Sequence, residues 1–322
     1  MELQKSFEDE GANLLAHSDG CTVWQFRNET GDGTMTAYDV FPGVMLSYND
    51  FHMERFDSTY VPDRRILAID HCREGRMEYA VGDGMVGYTA AGDMKLDLRR
   101  QHTGAYVFPS SHYHGLTVAF DLERAAQSLA AEIKDFPVTP ESIINRFSLG
   151  DFPRVLRDMR EAEHIFGELY RVPEKIRIPY FKVKILELLL YLDAMTNPCG
   201  TDEHPYFYRT QVEKVKAIRR FLAAHLAENF TQEDLSRRFA IPMTAMKTCY
   251  RSVYGTSIGN WLTGYRMNRA AEMLVAEETC SIAEIAGRVG YDNAGKFTAA
   301  FKKIMKYTPS AYRLERGTHN EA

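Results

Sequence analysis

The stretch Ile282-Ala-Glu-Ile-Ala-Gly-Arg-Val-Gly-Tyr-Asp-Asn-Ala-Gly-Lys-Phe-Thr-Ala-Ala-Phe-Lys-Lys303 reads as two short amphipathic helices joined by a tight turn. Ser281 and Glu284 at its start form the S-x-x-E capping box that opens a helix. Ile282, Ile285, Ala286 and Val289 recur at three- and four-residue spacing and make one apolar face. Gly290 supplies the turn, and Asp292 or Asn293 caps the next helix. In that helix Phe297, Ala300, Phe301 and Ile304 are expected to point inward. Asn293, Ala294, Gly295, Lys296, Thr298, Ala299 and Lys302 are left at its start and on its outer side.

The same logic occurs upstream, over Leu235-Ser-Arg-Arg-Phe-Ala-Ile-Pro-Met-Thr-Ala-Met-Lys-Thr-Cys-Tyr-Arg-Ser-Val-Tyr-Gly255. Thr231 and Asp234 approximate a capping box, and Leu235, Phe239 and Ile241 supply the inner face. Ala240 fits a close helix crossing at the turn. Pro242 suits a first helical turn, where a missing N–H costs nothing. The second helix is predicted over 243–254, with Met246, Cys249, Tyr250 and Val253 as its buried stripe and Gly255 as its stop. Thr244, Lys247, Thr248 and Arg251 fall on the opposite face. Side chains of these types can reach base edges and phosphates. Between the two units a helix from Ser257 to about Val275 carries Ile258, Trp261, Leu262, Tyr265, Ala270, Met273 and Leu274. It is too apolar for a free linker and is expected to pack against both units and fix their separation. Thr308-Pro309-Ser310 starts a last short helix with Tyr312 and Arg313. A single helix-turn-helix usually needs a partner to grip DNA, whereas two in one chain can read adjacent turns roughly 34–36 Å apart.

This arrangement resembles the AraC/XylS family of transcription regulators over about Val212 to Arg316. The resemblance is carried by Leu235…Tyr250-Arg251…Gly255, Tyr265-Arg266-x-x-x-Ala270, Ile282-Ala-Glu-Ile-Ala286…Gly290-Tyr291…Phe297…Phe301-Lys302-Lys303 and Thr308-Pro309-Ser310…Tyr312-Arg313. There are departures. Where such proteins often place an Arg beside the buried residue of each recognition helix, this chain has Thr248 and Ala299. A Gly common before the final Thr-Pro-Ser is Lys306 here.

Charge is divided to match. The whole chain carries a formal net charge of −5. Residues 207–316 hold 18 Lys and Arg against 10 Asp and Glu, while residues 1–206 hold 21 against 33. A basic module joined to an acidic one is what a phosphate-binding C-terminal domain predicts, and the acidic part is expected to stay off DNA. The 322 residues suggest two domains. No apolar run is long enough to span a membrane, and the first ten residues are acidic and lack the apolar core of a signal peptide. Five scattered Cys without a CxxC pair fit a reducing, cytoplasmic setting with free thiols.

The N-terminal part reads as short strands over 20–122: Cys21–Phe26, Val44–Tyr48, Arg65–His71, Arg76–Val81, Met94–Leu98, Gly104–Phe108 and Leu116–Phe120, separated by Gly and Asp clusters. Many short strands with turns suggest a small barrel. Beside the C-terminal module it resembles the cupin-like sensory barrel of that regulator family. Helical spacing follows over Leu122–Ile133, Phe152–Tyr170 and Tyr180–Met195, the last two as an antiparallel pair with enough apolar surface to serve as a homodimer face. Residues 197–206 read as a linker.

His112-Tyr113-His114 is the sharpest chemical feature of this part. On a strand the two imidazoles point the same way, here expected toward a barrel interior. With Glu78 they would make a metal set, but the acid that should follow His114 is missing, so no metal and no cofactor is expected. No nucleophile–base pair or phosphate loop is found, so catalytic residues are not expected. Trp24, Tyr48, Arg65, His71, Arg76, Glu78, Tyr88, His112 and His114 are the candidate ligand-pocket residues. The reading is an α+β chain: a cupin-like β-barrel over 1–196 with a helical dimerisation or connector segment, and an all-α double helix-turn-helix domain over 207–316. The function it implies is a regulator of transcription that binds promoter DNA under control of a small-molecule effector, with RNA polymerase as a further partner. Its rivals are a cupin-type metal enzyme fused to a DNA-binding module and a constitutive regulator whose barrel only dimerises.

Overall fold

The structure, a computed structural model, describes residues 12–317 apart from 19, 61–63, 83, 100, 101, 151, 158, 160, 161, 197–205 and 278. The chain divides into two compact units, Met1–Tyr206 and Phe207–Ala322. The 197–206 linker lies outside the described residues except for Tyr206.

The N-terminal unit is a curled antiparallel sheet with helices on one face. Its strands are β1 (Asn13–Ser18), β2 (Cys21–Asn28), β3 (Gly31–Phe41), β4 (Val44–His52), β5 (Arg55–Tyr60), β6 (Ile66–Gly82), β7 (Met85–Ala90), β8 (Met94–Arg99), β9 (His102–Val107), β10 (Tyr113–Asp121) and β11 (Arg154–Leu156). β1 to β4 run as a meander, β10 inserts between β4 and β6, and β6 then pairs with β8 through its first half and with β7 through its second. β5 pairs with β9, and β11 with β8.

Two expectations need correction. Arg65–His71 and Arg76–Val81 are not separate strands but parts of the 17-residue β6. Gly75, at φ +83°, lies within the strand where a turn was expected, and the ladder to β10 shifts register just before it, where Arg73 is the extra residue between Cys72 and Glu74. Phe152–Tyr170 is not one helix. It holds the short β11 and then a helix over Glu163–Leu169, because Pro153 and an edge-pairing segment interrupt the helical spacing.

Side-chain alternation assigns the two faces of the sheet. Leu46, Leu67, Ile69, Met94, Leu96, Leu116, Val118 and Phe120 share one face and are fully buried. Helices α1 (Leu122–Glu132), α2 (Pro140–Arg146), α3 (Glu163–Leu169) and α4 (Arg177–Ala194) close over it with Leu129, Ile143, Phe166, Phe181, Leu188 and Leu192. Each such side chain contributes roughly 1.5–3 kcal/mol by leaving water. α4 is buried along that stripe, yet its other side leaves Val183 at 60% and Leu190 at 44% exposure.

The C-terminal unit is all helix but for a two-residue bridge: α5 (Arg209–Ala224), α6 (Gln232–Arg238), α7 (Met243–Tyr254), α8 (Ile258–Ala276), α9 (Ile282–Arg288), α10 (Ala294–Met305) and α11 (Pro309–Gly317). The expected capping boxes form. Thr231 Oγ1 accepts from the Asp234 backbone N–H at 3.1 Å, and Ser281 Oγ from that of Glu284 at 3.2 Å. α8 packs against α5 and α7 on one side and α9, α10 and α11 on the other, as a shared spine. Ile304 departs from expectation: it is 37% exposed, since Phe297 and Phe301 already fill the contact with α9 and α8.

Candidate nucleic-acid interface and ligand cavity

In each helix-turn-helix the turn fixes how the second helix leaves the first. Ala240 takes φ +47° in the first unit and Gly290 φ +80° in the second. Gly290 is demanded by its surroundings. A Cβ there would lie 2.5 Å from an Arg266 guanidinium nitrogen and 2.5 Å from the Leu226 carbonyl oxygen. Arg266, buried on α8, donates to the Glu228 carbonyl at 2.7 Å and to the Asn229 side-chain oxygen at 3.0 Å. Asn229 in turn donates to the Gly290 carbonyl at 3.4 Å. One polar junction therefore joins the entry to α6 with the turn before α10. At the far end Arg313 of α11 donates to the Cys280 carbonyl at 2.7 Å, and Tyr312 stands edge-on to Phe301.

This frame sets which side chains α7 and α10 present. Met246, Cys249, Tyr250 and Val253 are fully buried, and Thr244, Lys247, Thr248 and Arg251 are all exposed. On α10 Phe297 and Phe301 are fully buried. Asn293, Ala294, Gly295, Lys296, Ala299 and Lys302 are exposed, and Thr298 is half-buried. Asn293 accepts from the Lys296 backbone N–H at 2.9 Å, so its side chain is spent on the cap. Lys303, beside Lys302, is exposed as well. The two helices thus present unlike polar rows, with Lys247 the long cation midway along α7.

The N-terminal unit encloses a cavity of about 830 Å³ on the sheet face turned away from the helices. Phe26, Met35, Phe51, Met77, Phe108 and Tyr113 form its apolar wall. Phe51 and Phe108 stack at 5.4 Å, and Phe108 and Tyr113 at 5.6 Å. A charged group stands on the same wall. Asp70 pairs with Lys95 at 3.1 Å and Arg99 at 3.0 Å and accepts from Thr117 Oγ1 at 2.6 Å. Burial alone would raise the Asp70 pKa, but the two cations and the hydroxyl outweigh it and hold the carboxyl well below its usual range. Lys95 is itself pulled down by burial and lifted further by Asp70 and Asp97, so it stays charged. The Arg99 Nε is buried without a hydrogen-bond partner among the described residues. An unmet donor on a cavity wall is a place where a ligand acceptor would be gained.

None of the nine residues expected to line a pocket is on this wall. Tyr48 donates to the Leu169 carbonyl under α3. His71 lies flat on Phe166, ring centroids 4.1 Å apart, and burial pulls its pKa down to about 4, with Arg73 adding to the shift. Glu78 is buried against the Tyr88 hydroxyl at 2.5 Å, away from both histidines. Arg65 pairs with Glu141 in solvent. Trp24 and Arg76 also miss the wall. His112 precedes β10, and Tyr113, between the two histidines, is the residue that points into the cavity. Four of the residues that do line it, Ser47, Asn49, Asp70 and Tyr113, are direct neighbours of those expected. The signal available was the row Lys95, Asp97, Arg99, alternating with buried Met94, Leu96 and Leu98 along β8.

Residues 235–315 match the family described as a helix-turn-helix domain. These residues of the C-terminal unit form an AraC-type helix-turn-helix domain. Among its relatives is the HTH-type transcriptional regulator ExsA of Pseudomonas aeruginosa, 29% identical over 99 residues, which are 31% of this chain and 35% of that protein. The uncharacterized HTH-type transcriptional regulator YtdP of Bacillus subtilis is 23% identical over 264 residues, 77% of this chain and 33% of that protein. Among solved structures, the C-terminal domain of AraT, a response regulator from Geobacillus stearothermophilus, shares 33% identity over 32% of this chain and 85% of that one, with a TM-score of 0.31. The chain spans about a third of the length of these two curated relatives. Within the AraC-type domain the departures have defined places. Thr248 and Ala299 are exposed on α7 and α10, and Lys306 ends α10 in the left-handed region at φ +69°, the conformation a Gly would adopt freely.

No helix among the described residues is long and apolar enough to cross a membrane.

Proposed function

We propose that this protein is a sequence-specific DNA-binding regulator of transcription whose N-terminal unit binds a small organic effector. The observation that carries the reading is the pair of exposed, unlike rows on α7 and α10, held on one spine, with 18 Lys and Arg against 10 Asp and Glu over residues 207–316. Thr244, Lys247, Thr248 and Arg251 contact DNA from α7. Ala294, Gly295, Lys296, Thr298, Ala299 and Lys302 do so from α10, with Asn293 capping it. The regulators among its relatives support the same reading.

The cavity supports the effector. Its volume lies within the ~300–1,000 Å³ typical of small-molecule sites, and its walls ask for an apolar body with one oxygen acceptor for Arg99 and Lys95. The exposed Val183 and Leu190 of α4 support a homodimer that buries them. An effector acts only if it binds one arrangement of the protein better than another. The test is a screen of metabolites by thermal shift on the full chain, with each hit assayed for promoter-fragment affinity and recovered for product analysis. A hit that raises melting, changes DNA affinity, loses its effect in Arg99→Met and is recovered intact is the expected result. Conversion of the hit to product would replace this reading with an enzymatic one.

A further inference from the structure

We propose a divalent transition-metal site, of the zinc class, at the end of β4 on the sheet face that carries Leu46, with Asp50, His52 and His112 as its ligands. One imidazole or carboxylate atom from each lies within 4.8 Å of the others. Asp50 Oδ1 is 3.1 Å from His52 Nε2, and the rings of His52 and His112 are 4.9 Å apart. Glu74 reaches within 3.6 Å of His112 Nε2 and is placed to be a fourth ligand. The site is separate from the cavity and rests on neither the DNA nor the effector reading.

The fold brings these groups together for a definite reason. Asp50 and His52 are two apart on β4 and share a face, while Phe51 between them points into the cavity. Phe51 pairs with Tyr113 of β10, so the residue before Tyr113 arrives beside His52. Both histidine backbones are seated tightly. A Cβ on Gly31 would lie 2.0 Å from the His52 carbonyl oxygen, and one on Gly75 2.1 Å from that of His112. The main chain is thus closely packed at both histidines, while the side chains, half-buried to exposed, have room to close by the ångström or so that ligation needs. Ligand atoms ~2.0–2.2 Å from a tetrahedral ion stand roughly 3.3–3.6 Å apart. Two imidazoles with a carboxylate favour zinc, copper or nickel over magnesium or calcium, which take mostly oxygen. His114 does not join the set, because its ring turns edge-on to Tyr170 at 5.3 Å. The sequence argument against metal looked for an acid after His114. The acid is instead on β4, more than sixty residues upstream of His112.

The experiment uses the full chain without a polyhistidine tag, stripped with a chelator and kept reduced, and titrated with Zn²⁺ by calorimetry and with Co²⁺ by absorption. One ion per chain is expected, with visible Co²⁺ bands of nitrogen and oxygen ligation and no thiolate charge-transfer band. His52→Ala and His112→Ala should each weaken binding at least tenfold with unchanged circular dichroism and melting. His52→Gln and His112→Gln serve the same purpose should either alanine variant fold poorly. Absence of saturable binding, full binding in the double variant, or a thiolate band would overturn the proposal.

Discussion

His71 is 2% exposed, with its ring on Phe166 and its Nδ1 without a hydrogen-bond partner among the described residues. Burial holds its pKa at about 4, against 6.5 when free. The unfolded chain therefore binds the extra proton across that interval, and stability is full above the free value and falls as pH drops toward the folded one. The loss between pH 7 and pH 5 is about 2 kcal/mol. Urea unfolding of the N-terminal unit at the two pH values should show it, and His71→Phe should remove most of that difference. An unchanged difference in the variant would mean that other groups carry it. Gly290 makes a second prediction at this scale. Gly290→Ala forces a side chain against Arg266 and the Leu226 carbonyl in a left-handed turn. It should cost the C-terminal unit about 2 kcal/mol or more in thermal or denaturant unfolding, whereas Gly287→Ala, with open space around it, should cost nothing.

Elements differ in how far their sequences reveal them. α7 and α10 were largely legible, because helical periodicity, the capping boxes of the helices before them and the turn residues agree there; Met246, Tyr250, Phe297 and Phe301 are buried as the spacing predicts, though Ile304 is not. The strands were legible as strands, but their facing was not. β4 and β6 are apolar on the helix-covered face and mixed on the cavity face, so Tyr48 and His71 look like pocket residues while their neighbours Ser47 and Asp70 are the ones that line it. A strand read one residue out of phase turns every side chain to the wrong side. β6 hid in the same way, because a Gly within a strand and a Gly that ends one are alike in sequence. At this scale the DNA reading yields a sharp expectation. Lys247 is the long donor of α7 suited to guanine O6 and N7. Lys247→Ala should cost about 1–3 kcal/mol at one base position and relax the preference there. Lys302→Ala should weaken binding across all sequences alike. Affinity measured on a set of single-base operator variants separates the two patterns.

For the molecule as a whole, charge is unevenly shared between the two compact units: residues 1–206 hold 21 Lys and Arg against 33 Asp and Glu, and residues 207–316 hold 18 against 10. The 207–322 fragment should therefore bind promoter DNA alone, with affinity falling steeply in salt at a slope near −0.9 per phosphate neutralised. A fragment without affinity at low salt would remove DNA binding from this unit. What sequence could not supply was the cavity and its charged wall, since these arise from pairings such as Thr117 with Asp70 and Asp70 with Lys95 that join residues far apart in the chain.

The junction of Arg266, Asn229 and Gly290 has a mechanical meaning. Two reading heads bolted to one spine make a ruler with a fixed pitch rather than a pair of hands on a string. A ruler cannot follow its marks when they are moved. Inserting one base pair between the two operator boxes turns the second away by about 34°, and five base pairs carry it to the far side of the duplex. Affinity should then drop at each step to that of one head alone and recover in part only near a full added turn of about ten base pairs, whereas a flexibly jointed domain would show a shallow, monotonic decline. Gel-shift titrations over a ladder of spacer lengths distinguish these two curves. Arg266→Ala, which cuts the bolt while leaving both heads intact, should flatten the steep one.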